Sequence, residues 1–200
     1  MLLQETRTLL LASSSPRRQE LIRTFQLPVQ IEVSHVDESY APLTAPNEIV
    51  EELALRKAQA VANNHLADSL DGVVVGSDTI VVFDNQILNK PVDDQDAMRM
   101  LMMLQSRTHQ VFSGVACIDL KSGKRLVKHR MTEVTMRELS VEQISRYIAS
   151  GEPRDKAGAY GIQGIGATIV VSIQGCYFNV VGLPLSLLSE MLKELGVDVL

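Results

Sequence analysis

The sequence predicts an α/β protein built on a mixed β-sheet with flanking helices, and three observations carry that expectation. Runs of β-branched residues bounded by turn residues are interleaved with segments of helical apolar periodicity. Two strand–turn–strand patterns, at 72–90 and 110–137, require antiparallel pairs, so the strict alternation of a Rossmann fold is broken. The chain is 200 residues long and 46% hydrophobic, enough for one generous core or two small lobes.

In chain order, residues 8–12 read as a short buried strand, followed by the polar turn Ser13-Ser14-Ser15. A helix at 16–25 starts with Pro in the first position and Ser15 available as its cap. Residues 47–63 form an amphipathic helix on which Val50, Ala54, Lys57 and Val61 share one stripe. Residues 72–83 are a strand, 84–86 a turn and 87–90 a returning strand. The helix at 94–104 uses Met98, Met100, Met102 and Met103 as core filler. Strands at 110–120 and 125–137 form a hairpin closed by 121–124. Ser140 and Gln143 make a capping box for a helix that stops at Gly151. A segment punctuated by Gly158, Gly161, Gly164 and Gly166 leads to strands at 167–173 and 176–181. A last helix at 184–195 ends at Gly196.

Several function classes are disfavoured. No run approaches the roughly 18 to 20 apolar residues of a membrane span. The first ten residues lack the pattern of a secretory leader. Cys117 and Cys176 have no metal-like spacing, and so few cysteines fit a cytoplasmic location. A net charge of -5, no Trp and 4% aromatics argue against nucleic acid as a partner. His35, His65, His109 and His129 show no zinc-site spacing, and His109 is expected to be structural. No P-loop and no nucleophile elbow occur.

Local rules fail at a few places, and these are the candidate site. Arg17 and Arg18 occupy the first turn of a helix, where the macrodipole disfavours cations; with the serines and free N–H groups they suit an anion such as a polyphosphate. Asp78 lies inside the apolar run VVVGSDTIVV, expensive to bury unless paired or metal-bound, and Gly76 before it allows a bulge or a close backbone approach. Lys90 follows the next turn. A three-residue turn would pair Phe83 with Ile87 and make Asp78 a diagonal neighbour of Lys90, whereas a two-residue turn would set Thr79 opposite Lys90. Lys57 interrupts an apolar stripe and either snorkels to water or meets a phosphate. Glu38, in a polar loop, is uninformative by itself.

Together the pieces LLLASSSPRR, LALRKAQA, VVVGSDTIVV, LNKP, EPRDKAGAYGIQG and VVGLPL resemble the Maf family, nearly end to end. The resemblance implies one domain over 1–200. Its fold would be the elongated mixed sheet of Maf and inosine triphosphate pyrophosphatase proteins, with two lobes around a deep central cleft. It also implies metal-dependent hydrolysis of a nucleoside triphosphate between the α and β phosphates, with Mg²⁺ or Mn²⁺ held by Glu38 and Asp78. Asp78, Lys90 and Glu38 would be catalytic; Ser13, Arg18 and Lys57 would contact phosphates. The pattern Arg17, Thr79 and Gln163 is similar to the subgroup acting on dTTP and UTP, a Gln163 amide matching the donor and acceptor edge of uracil or thymine. Modified pyrimidine nucleotides are a further substrate class, and a homodimer is implied. The competing expectation is a nucleotide-responsive interaction protein that restrains cell division. Ser14 stands where the family often has Gly, and Asn89 where it often has Gly or Glu.

Overall fold

The computed structural model describes residues 7–67 and 70–200; the first six residues, part of the leader expectation, lie outside it. The elements are β1 (Thr8–Leu11), α1 (Pro16–Arg23), β2 (Val29–Ile31), α2 (Pro46–Asn64), β3 (Gly72–Phe83), β4 (Gln86–Leu88), α3 (Asp94–Leu104), β5 (Thr108–Asp119), β6 (Arg125–Met136), α4 (Val141–Ala149), three short 3-10 turns, β7 (Val170–Gln174), α5 (Tyr177–Val181) and α6 (Leu185–Glu194). Among the described residues, seven strands form one mixed sheet in the order β2-β1-β3-β5-β6-β7, with β4 on β3. β1 runs parallel to β2 and β3, while β4 and β7 run antiparallel to β3 and β6. The mixed α/β expectation therefore holds.

The chain divides into two compact units, with the boundary falling inside β3 between Asp78 and Thr79. The first comprises the chain up to Asp78, Ser113–His129 and Gly182–Leu200. Within it β1 and β3 carry continuous apolar runs because they are buried on both faces. Leu10, Val74 and Ala116 pack against Ala54, Ala58 and Val61 of α2. Two glycines let α2 lie directly on the sheet. A Cβ on Gly76 would fall 2.2 Å from the Ala54 carbonyl oxygen, and one on Gly114 would fall 2.1 Å from that of Val50. Of the two roles open to Gly76, close backbone approach is the one it serves here.

The second unit comprises Thr79–Phe112 and Arg130–Val181. Its core gathers Val81 and Phe83, Met100, Leu101 and Leu104 of α3, and Ile144, Tyr147 and Ile148 of α4. The capping box at α4 forms in both directions, and Gly151 follows in the left-handed region at φ 77°.

Three expectations are corrected, and one element was missed. Within the strand expected at 176–181 the chain forms the helix α5 from Tyr177, because Gly175 at φ 135° turns the chain off β7 and the buried Asn179 amide donates to Val111 O (2.9 Å) and Thr132 Oγ1 (3.0 Å). Ala167 belongs to a 3-10 turn, so β7 starts only at Val170. Met102 is 41% exposed and fills no core, whereas Met100 is buried. The short edge strand β2 was missed, although Val29, Gln30, Ile31, Glu32 and Val33 alternate as a half-buried strand does. Among the described residues no helix is long and apolar enough to cross a membrane.

Candidate active site

Side chains alternate along a strand, so Val74, Gly76 and Asp78 of β3 share the face on which α2 packs. The missing side chain at Gly76 lets the helix backbone come in, and Lys57, between Ala54 and Ala58 in the next turn, reaches the following position on the strand. Its Nζ donates to Asp78 Oδ1 at 2.6 Å and pairs with Glu38 Oε1 at 2.6 Å. Lys57 and Asp78 are both 7% exposed, so the lysine does not snorkel to water, while the Glu38 side chain is 55% exposed. One ammonium thus joins two carboxylates from separate parts of the chain.

The Glu38 loop is held by the residue beside Lys57. Arg56 donates to the Asp37 and Ser39 carbonyls, and Asp37 closes a local turn by accepting from Ser39 N–H (2.9 Å) and Ser39 Oγ (2.5 Å). Sequence reasoning missed Arg56; the only signal was its place next to Lys57 in LALRKAQA.

The serine turn is organised differently from expectation. Ser15 stands at the α1 cap position without a side-chain capping bond; Ser13, buried, accepts from Ser15 N–H at 3.2 Å instead. Arg18 lies 3.5 Å from Ser13 Oγ through Nη1 and donates from Nε to Gly182 O at 2.8 Å. That carbonyl also accepts from the buried Ser77 hydroxyl (3.0 Å). Gly182 and Ser77, which sequence reasoning left unassigned, fix the arginine's direction. Burial lowers the Arg18 pKa; the Asp78 and Glu38 carboxylates oppose that and Arg17 adds to it. An arginine stays charged regardless, so Ser13, Arg17, Arg18, Glu38, Lys57 and Asp78 form one electrostatically connected group in the first unit.

Thr79, Lys90 and Gln163 belong to the second unit. β4 pairs Phe83 with Gln86 and Val81 with Leu88, the register of a two-residue turn, with Asp84 and Asn85 both at positive φ. The three-residue alternative, with its Asp78–Lys90 diagonal, is therefore overturned, and the returning strand stops at Leu88, leaving Lys90 beyond the paired segment. Lys90 is exposed, while Thr79 and Gln163 are half-buried. The lysine found on Asp78 is Lys57.

Carboxylate oxygens from Asp78 and Glu38 converging on one cationic nitrogen make a hard donor pair suited to Mg²⁺ or Mn²⁺, which take one or two carboxylates and complete their shell with phosphate and water. Among the described residues no group of three or more His, Cys, Asp or Glu could hold a metal. The residues present fit a cation that shares its ligands with a substrate.

A profile described as Maf-like protein matches residues 8–195. A relative from Desulforamulus reducens, named dTTP/UTP pyrophosphatase, is 46% identical over 96% of this chain and 99% of its own length. One from Moorella thermoacetica, with the same name, is 50% identical over 96% of each chain. The solved structure of the Staphylococcus aureus Ham1 protein aligns with a TM-score of 0.58 at 12% identity, over 94% of this chain and 99% of that one, a likeness of fold. The motif order, the mixed sheet and a match over nearly the whole length agree: the chain belongs to the Maf-like protein family.

Proposed function

We propose that the protein is a metal-dependent nucleotide pyrophosphatase that hydrolyses dTTP and UTP to the nucleoside monophosphate and pyrophosphate. The observation that carries this is the buried Asp78–Lys57 pair reaching Glu38 beside Arg18 and Ser13. The names of relatives 46% and 50% identical support the substrate class. Modified pyrimidine nucleotides fall in the same chemical class.

Asp78 accepts the proton of a water that attacks phosphorus at the α–β bridge; the new P–O bond forms as the bond to the departing pyrophosphate breaks. Lys57 orients the Asp78 carboxylate and presents positive charge to a phosphate oxygen brought beside it. Arg18, aimed by Gly182, and the Ser13 hydroxyl bind phosphate oxygens, with Arg17 adding positive charge. The family resemblance gives Lys90 a role in neutralising charge on the leaving group, so catalysis is mainly positioning and electrostatics. A divalent cation held by Asp78 and Glu38 would supply Lewis acidity and charge neutralisation on the phosphates. Thr79 and Gln163 recognise the base, the amide offering one donor and one acceptor. Two free cysteines, Cys117 and Cys176, fit a cytoplasmic setting.

The test is a substrate panel of dTTP, UTP and 7-methyl-GTP with product analysis, on wild type and Asp78→Asn. The expected product is pyrophosphate, and Asp78→Asn is expected to lower kcat by about 10²- to 10⁴-fold. Orthophosphate as the product, or a wild-type rate in Asp78→Asn, would overturn the mechanism. Nucleotide binding without metal-dependent turnover would favour an interaction protein.

A further inference from the structure

The glycine segment around Gln163 is braced by a group to which the proposed chemistry gives no role. Gly161 N–H donates to the Tyr147 hydroxyl at 3.1 Å, and that hydroxyl donates to Glu152 Oε1 at 2.8 Å. The same carboxylate accepts from Gly166 N–H through Oε1 (2.9 Å) and from Ile165 N–H through Oε2 (2.9 Å). Both ends of the segment 161–166 are thereby tied to one carboxylate, one end directly and the other through a phenol. The segment is also pinched shut: a Cβ on Gly166 would lie 2.1 Å from the Gly161 carbonyl oxygen, and one on Gly164, at φ 65°, would lie 2.5 Å from Glu152 Oε2. Burial works against Glu152 ionisation, yet the bonds from Gly166, Tyr147 and Ile165 outweigh it and hold its pKa below the ordinary carboxylate range. Tyr147 is 5% exposed and packed in the second unit's core, so the brace is anchored to the rigid part of that unit.

We infer that Glu152 and Tyr147 are positioning residues for base selection, clamping the two ends of a closed loop that carries Gln163 near its middle. The inference rests on the reading that Gln163 recognises the base. A carboxylate suits this place because all its bonds here come from donors. A glutamine would turn donors of its own toward N–H groups.

The test compares kcat/KM for UTP and CTP, which differ only at the base edge, in wild type, Glu152→Gln, Tyr147→Phe, the double variant and Gln163→Ala. The expected result is a fall of about tenfold in the UTP-over-CTP ratio for Glu152→Gln, Tyr147→Phe and Gln163→Ala, read in Glu152→Gln and Tyr147→Phe as a rise in KM for UTP with kcat within about twofold. The double variant should lose no more than the worse single, because both act on one loop. Tyr147→Phe removes one oxygen and keeps the buried ring, so it tests the clamp even if Glu152→Gln does not fold. A ratio that falls in Gln163→Ala but holds in Tyr147→Phe and Glu152→Gln overturns the clamp alone. A ratio unchanged in Gln163→Ala overturns the base-reading role itself, and the clamp's part in selection with it.

Discussion

At the scale of single residues, Lys57 and Asp78 depend on each other. Each side chain is about a tenth exposed, so neither charge is well solvated, and their contact at 2.6 Å compensates both. Glu38 shares the ammonium but is largely in water, and its contribution to stability is correspondingly small. Lys57→Met is expected to cost about 3 kcal/mol by leaving a buried carboxylate unpaired. The double change Lys57→Met with Asp78→Asn should recover part of that loss. Urea titration of the three variants measures both; additive losses would show that the pair is not coupled. The anomalous acid within the valine run was plain in the sequence, since a carboxylate there requires a partner. Which partner it takes was not, because Lys57 is 21 residues away and its reach depends on how closely a helix packs.

At the scale of elements, that approach is set by glycines. Gly76→Ala places a methyl 2.2 Å from the Ala54 carbonyl oxygen, so α2 must shift or the strand must bend. The expected cost is about 1 to 3 kcal/mol of stability. The same shift moves Lys57 off Asp78, so kcat should fall beyond the stability effect, at temperatures where the variant is fully folded. A crystal structure of Gly76→Ala with α2 unmoved would contradict this. The capping box of α4 is a simpler case: Ser140→Ala removes the acceptor for Gln143 N–H and should cost about 1 kcal/mol by thermal or urea unfolding. Elements governed by local rules were legible in this way, among them the Ser140 cap, the Gly151 stop and the apolar runs of β3. α5 was not: residues 176–181 have a strand's composition, and the buried amide of Asn179 and the turn at Gly175 favour a helical backbone from Tyr177 to Val181.

At the scale of the whole molecule, the second unit carries a pH liability in its core. His109 is 2% exposed, its Nε2 lies 2.7 Å from the Tyr160 hydroxyl, and burial pushes its pKa down to about 4. The unfolded chain therefore binds a proton that the folded chain refuses between about pH 6.5 and 4. Stability from this residue is fully present above the unfolded pKa and falls as pH drops through that window, by about 2 kcal/mol at pH 5. Unfolding free energies from urea titration at pH 7 and pH 5 should differ less in His109→Gln than in wild type by about that amount; an equal difference would remove His109 as the cause.

The sequence by itself determined the mixed α/β class, the element types set by periodicity and capping, and the identity of the residues that break local rules. Those are decided within a turn or a strand length, where propensity and patterning act. Tertiary structure decided which lysine meets Asp78, that Gly182 and Arg56 hold Arg18 and the Glu38 loop, and that one carboxylate closes the loop around Gln163. These contacts join residues far apart in the chain through packing distances of a few tenths of an ångström, and no sequence periodicity records such distances.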